Sequence, residues 1–246
     1  MDFLTLPAPN DASKPLSTQV YDAVREAIIC LKLKPGQMIY ENELAESLGV
    51  SRTPIREAIR SLVNEQLLEV LPQRGTLVTY VSERKVLETR FIQAQLELGA
   101  FRIAARVWDE HNQKLTKQLI LHSIRDQRAA ADNNNAALFL QLDETFHRII
   151  LGLANNDTLL QVVYHMRGHL NRLRYMLLEE YHHMHRIVDE HVEIFAAIEA
   201  NNEERTAQLL DDHLGKLNHE FPEIRKVHPQ YFLRNIRNSV EWREDK

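Results

Sequence analysis

The chain has 246 residues, 44% of them hydrophobic, and a formal net charge of -5. That length supplies one large or two modest domains with ample apolar material, and the negative balance excludes a general polyanion binder while leaving room for a locally basic, DNA-reading helix. The single cysteine, Cys30, excludes an internal disulfide, and no apolar run is long enough to span a bilayer, so the expectation is a cytoplasmic chain with no membrane partner.

Residues 1–15 are polar and proline-punctuated and read as a flexible arm. The spacing of Leu16, Val20, Val24, Ala27, Ile28 and Leu31 predicts an amphipathic helix ended by Lys34-Pro35-Gly36, with a short strand at Met38-Ile39-Tyr40. Glu41 to Leu48 predicts a second helix. Gly49 then supplies a tight turn, Ser51 can cap the next helix, and Pro54 falls in its first turn, where a missing N–H costs little. Ile55, Ile59, Leu62 and Val63 form its apolar stripe, while Arg52, Arg56 and Arg60 recur every four residues on another face. Two helices around such a turn make a helix-turn-helix, and the arginine face can reach phosphates or base edges. Two β-rich runs follow, Leu67 to Leu71 and Thr76 to Val78, around Pro72-Gln73-Arg74-Gly75; a hairpin here completes a winged helix with Arg74 and Gly75 at the wing tip.

Pro35-Gly36, Glu43-Leu44-Ala45, Ser51-Arg52-Thr53-Pro54-Ile55-Arg56-Glu57-Ala58 and Gln73-Arg74-Gly75 together resemble the winged-helix domain of the GntR family of bacterial transcription regulators, over residues 16–80. The resemblance implies operator contacts from Ser51, Arg52, Thr53 and Arg56, with Arg74 and Gly75 at the wing. Asn42 stands where some members of the family carry an arginine, which removes one possible contact.

From Ser82 onward the pattern is helical, with predicted helices over 83–108, 112–131, 136–153, 158–181, 185–200 and 203–221. The asparagine-rich breaks are short, which implies antiparallel neighbours in a bundle. The fold class is therefore mainly α: a winged helix-turn-helix followed by an all-helical domain over 81–226 and an extension over 227–246, whose Tyr231, Phe232 and Trp242 suit docking on the bundle. Inside the bundle Asp143 and His147 share one helical face, His191 lies within the stripe Ile187, Val188, Ile194, Phe195, Ile198, and His213 lies among Leu210, Leu214 and Leu217. One carboxylate and three imidazoles pointing inward satisfy one another around a divalent metal; an Asp–His pair with two unrelated core histidines is the alternative. The donors suit Zn²⁺, Ni²⁺, Mn²⁺ or Fe²⁺, and the mix alone does not choose among them; Zn²⁺ is the expected ion. His165 with His169, and His182, His183 and His185, read as solvated.

Asp143-x-x-x-His147, Asp189-Glu190-His191 and His213-Leu214 resemble the metal motif of the FCD domain, the ligand-binding domain of the FadR branch of that family. Arg90 with Leu96-Glu97 resembles its opening helix and the run from Arg167 to Arg174 its arginine-bearing helix. The resemblance implies a small carboxylic or sugar-acid effector near the metal. Arg90 and Arg174 are the candidates to pair with its carboxylate, though an inter-helix salt bridge explains each equally. The expected function is a homodimeric, ligand-responsive regulator, in the repressor mode commoner in the family, that reads a near-palindromic double-stranded operator and is not an enzyme. The rival readings are a metal-dependent hydrolase or lyase, for which no general base, nucleophile motif or phosphate loop stands out, and a DNA-binding protein with a purely structural metal.

Overall fold

The computed structural model describes Leu4, Leu6 and residues 14–233. The elements run α1 (Leu16–Ile29), β1 (Met38–Ile39), α2 (Glu41–Leu48), α3 (Arg52–Asn64), β2 (Leu68–Leu71), β3 (Gly75–Val78), α4 (Glu83–Val107), α5 (Lys114–Asp132), α6 (Ala136–Gly152), α7 (Asp157–Met166), α8 (Gly168–Tyr181), α9 (Met184–Glu199), α10 (Glu203–Gly215) and α11 (Leu217–Val227), then a single 3-10 turn at Pro229–Tyr231. The mainly α architecture expected from the sequence is the one observed.

In the N-terminal head, Val20, Val24 and Ile28 of α1, Leu44 of α2 and Ile55, Ile59 and Leu62 of α3 form one core. Leu4 is buried in it, so part of the expected arm packs on the head. The antiparallel sheet has the order β1-β3-β2, and the pairing of Leu71 with Gly75 closes the wing hairpin. Gly49 ends α2 at φ 65°, and Gly75 sits at φ 115°, where a Cβ would come within 2.8 Å of the Tyr40 ring. Ser51 occupies the N-cap position of α3, yet its hydroxyl makes no capping bond, contrary to the sequence expectation.

The bundle uses its asparagines twice over. Asn134, Asn155 and Asn201 adopt left-handed backbone at helix ends, and their successors Asn135, Asn156 and Asn202 each accept a backbone N–H of the next helix. Two predicted helices are broken. The segment 158–181 divides at Arg167, whose buried side chain is directed to Glu97, and Gly168 lies against Leu67 of the head so closely that a Cβ would meet its Cδ2 at 2.9 Å. The last predicted helix divides at Lys216, and α11 then runs through Pro222 to Val227, held by Phe221 and Ile224 in a cluster with α8. The described start of the extension packs on the chain: Phe232 is buried, and Val81 pairs with it in a parallel bridge. Trp242 lies outside the described residues.

Head and bundle share a polar junction. Arg25 of α1 pairs with Glu65 at 3.1 Å, donates to the Tyr164 carbonyl and lies over the Tyr164 ring. From α8, Arg172 donates to the Thr79 carbonyl and to Nδ1 of His169, and His169 Nε2 donates to the Gln66 carbonyl at 3.1 Å. His169, expected on a solvated face, is therefore buried; the Gln66 carbonyl it meets lies in the head, on a different stretch of chain, which helical periodicity cannot show. Burial and the adjacent Arg172 push its pKa down to about 3 from 6.5. The unfolded chain takes up this proton near pH 6.5 while the folded chain refuses it, so stability is full above 6.5 and falls as pH drops toward 3, by about 1.4 kcal/mol per pH unit within that window. Urea unfolding of His169→Gln between pH 7 and 5 is expected to show a shallower loss than the parent chain; parallel curves would remove His169 as the source.

Candidate metal centre and DNA-reading face

Asp143 and His147 project from successive turns of α6, His191 from α9 and His213 from the last turn of α10. All four are buried, and a donor atom from each lies within 4.8 Å of those of the others. The Nδ1 atoms fix the orientation. His147 Nδ1 donates to Glu97 Oε2 at 2.8 Å, His191 Nδ1 to Gln127 Oε1 at 2.7 Å, and His213 Nδ1 to Glu190 Oε2 at 2.7 Å. Carboxylates only accept, and the Gln127 amide is oriented by donating to Ser123 Oγ and the Leu142 carbonyl, so each neutral imidazole presents its Nε2 lone pair to the shared centre. Nε2 of His147 and of His191 and Oδ1 of Asp143 are buried without a hydrogen-bond partner. Buried polar atoms are almost always satisfied, so three orphans facing one point fit a divalent cation.

The electrostatics suit that role. Burial opposes ionisation of Asp143, but Arg174, donating to Oδ2 at 2.6 Å, and the neighbouring imidazoles outweigh it and hold the carboxyl below its ordinary range. Burial pushes His191 well down and His213 down as well, which keeps both neutral and able to ligate. The Phe146 ring stacks on His191 at 4.1 Å and fixes its plane.

Beside His213 opens a narrow pocket whose wall carries Arg90, Arg174, His183, Arg186, Glu190 and Lys216. Arg186 and Lys216 are paired with Glu190 or Glu220, and Arg174 with Asp143. Arg90 makes no ion pair among the described residues, and its Nε is buried without a partner. The two candidate arginines thus differ: Arg174 positions a metal ligand, whereas Arg90, with no such pair among the described residues, feels only the field of Asp211. His183, expected to be solvated, is half-buried in this wall; His165 is exposed but touches Glu65.

On the head, Ser51, Arg52, Thr53, Arg56 and Arg60 are exposed along one side of α3, with Arg74 exposed at the tip of the wing and Gly75 beside it. Arg52 Nη2 and Arg56 Nε both donate to Glu41 Oε2, at 2.9 and 2.8 Å.

The model of bacterial regulatory proteins of the gntR family matches residues 16–78, and that of the FCD domain matches residues 88–216. The chain belongs to the GntR family, with an FCD domain behind its helix-turn-helix. It is 24% identical to the HTH-type transcriptional repressor RspR of Escherichia coli K12, over 93% of this chain and 99% of that one. It is 30% identical to an HTH-type transcriptional regulator in an unstable DNA locus of Streptomyces ambofaciens, over 91% and 94%. The solved structure of E. coli McbR/YncC shares the fold, with a TM-score of 0.72 at 21% identity, covering 87% of this chain and 99% of that one. These families and named relatives are transcriptional regulators, not enzymes, and the chain is a transcriptional regulator of that kind. No helix among the described residues is long and apolar enough to cross a membrane.

The sequence pattern did not single out the acceptors behind the imidazoles. Gln127 stands on the apolar face of α5 among Ile120, Ile124 and Ala131, and Glu97 on that of α4 beside Ala100, Phe101 and Ala104. A polar residue on an apolar stripe was the available signal, the same one that drew attention to His191.

Proposed function

We propose that this GntR regulator is a homodimeric repressor that binds a near-palindromic operator and senses a small carboxylic or sugar acid at a divalent metal held by Asp143, His147, His191 and His213. The observation that carries the reading is the convergence of partnerless Nε2 and Oδ1 atoms beside a pocket with an unpaired arginine. A divalent ion with one aspartate keeps a net positive charge, which favours an anion, and Arg90 can grip that anion's carboxylate as a fork. Zn²⁺ fits the three imidazoles and one carboxylate best. Helix α8 favours a link to DNA binding: it carries Arg174 against Asp143, and Arg172 and His169 against Thr79 and Gln66 of the head. Any effector acts by preferring one placement of the heads. Exposed Leu87, Phe91 and Ile92 on α4 offer apolar surface to a second copy. Repression is supported by the name of the RspR relative.

Ser51, Arg52, Thr53, Arg56 and Arg60 with the wing residues Arg74 and Gly75 form the proposed operator contact. Arg52→Ala is expected to cost about 1–3 kcal/mol in affinity for a duplex selected from a random library by the parent protein, with metal content unchanged. Full affinity in that variant would sink the recognition-helix assignment.

A further inference from the structure

Beside the arginines of the DNA-reading face stands an acid that the operator contacts do not explain. Glu41, the first residue of α2, stands between Arg52 and Arg56, and a single oxygen, Oε2, accepts from both. The hydrogen bond from Arg56, outweighing partial burial, and that from Arg52 hold its carboxyl below the ordinary range, so it is an anion at neutral pH. An anion on a surface meant for phosphates costs non-specific affinity, and a rim acid placed there by chance has no reason to engage both arginines.

We infer that Glu41 is a specificity-determining residue that positions Arg52 and Arg56 for base reading and withholds their charge from phosphates. It rests on the reading that α3 enters the groove. Three observations carry it. First, Arg56 is engaged only through Nε, which leaves its Nη1–Nη2 edge free among the described residues; that edge is the fork that matches O6 and N7 of a guanine. Second, both arginine side chains are about half exposed, at 55% and 53%, so without an anchor they would sample many rotamers and reach whichever phosphate lies near. Third, Arg60 on the same helix and Arg74 on the wing have no carboxylate partner among the described residues. The face thus divides into two restrained arginines suited to bases and two unrestrained ones suited to phosphates, whose contacts orient the protein without reading sequence.

Non-specific affinity comes from phosphate neutralisation, and each added contact steepens the dependence of log K on log salt by about 0.9. Freeing one arginine would therefore raise affinity for arbitrary DNA roughly five- to eightfold at 0.1–0.15 M salt for each head that gains the contact. The test uses the full metal-loaded chain and two duplexes, one selected from a random library by the parent protein and one of scrambled sequence, titrated at several salt concentrations. Glu41→Gln, nearly isosteric, is expected to bind the scrambled duplex several-fold tighter with a steeper salt slope. The ratio of selected to scrambled affinity should fall by at least as much, and Glu41→Asp should recover part of that ratio. An unchanged slope and ratio in Glu41→Gln would overturn the inference. So would parallel weakening on both duplexes with a lower unfolding midpoint, because that is the signature of a purely structural acid. Arg56→Ala is run alongside: if it keeps full affinity for the selected duplex, the recognition-helix reading itself fails, whereas its loss with an unmoved Glu41→Gln removes only the role of Glu41.

Discussion

Arg167→Met is expected to destabilise the chain by about 3–5 kcal/mol, measured as a lower urea midpoint, because it strands a buried carboxylate. Glu97 is fully buried and accepts from Arg167, from Gln93 Nε2 at 2.7 Å and from His147 Nδ1. Burial opposes its charge, yet Arg167 and His147 outweigh burial and keep it ionised. With methionine in place of Arg167 only neutral donors remain, and a charge so enclosed is costly without a cation. Glu97→Gln alone reverses the problem and leaves the Arg167 cation unpaired. The double variant removes both charges, and it is expected to be more stable than the sum of the single losses predicts, with a coupling of roughly 0.5–3 kcal/mol. His147 keeps an acceptor in that variant, since a glutamine already serves His191 through Gln127. Strict additivity would show that Glu97 and Arg167 do not act as a pair. Because Gly168 beside Arg167 is pressed against Leu67, the same replacement is also expected to loosen the contact between bundle and head.

The parts of the molecule that were legible in the sequence are those written in local patterns. The turn at Gly49, the stripe of Ile55, Ile59 and Leu62 and the wing at Arg74-Gly75 need only neighbouring residues, and the observed helix-turn-helix and hairpin follow them. The inward direction of Asp143, His147, His191 and His213 was legible for the same reason, since each lies on an apolar stripe of its own helix. What was not legible depends on pairs far apart in the chain. The break at Arg167 is set by Glu97, 70 residues earlier, and by Leu67 of the head. His169 looks like a polar residue off its helix's main stripe until the Gln66 carbonyl closes over it. The continuation of α11 through Pro222 depends on Phe221 and Ile224 packing on α8, which outweighs the helix-ending tendency of proline. Arg90 and Arg174 looked equivalent as arginines; only the distance from Arg174 to Asp143 separates a positioning cation from a free one.

Stripping the metal with a chelator is expected to lower the thermal midpoint by roughly 10 °C, since occupancy at about a thousand times the dissociation constant supplies about 4 kcal/mol and each kcal/mol moves a domain of this size by about 2–4 °C. Asp143→Ala should lose the metal outright, because it deletes the only anionic ligand and leaves three neutral imidazoles with the Arg174 cation nearby. Re-addition of Zn²⁺ restores the parent midpoint but not that of the variant. Small carboxylic and sugar acids titrated into the metal-loaded chain separate the remaining readings. An acid that stabilises the loaded chain, fails on the stripped chain and loses its effect in Arg90→Met places the effector between the metal and Arg90. An acid that acts equally on loaded and stripped chains binds by the pocket arginines alone and removes the metal from sensing. If no acid acts while stripping still lowers the midpoint, the ion serves the fold: it ties α6, α9 and α10 together through four side chains, three of which hold a buried atom with no hydrogen-bond partner. The same orphaned atoms thus account for stability in every outcome. Only the dependence on Arg90 separates a sensor from a staple, because that guanidinium makes no ion pair among the described residues and is none of the four donors.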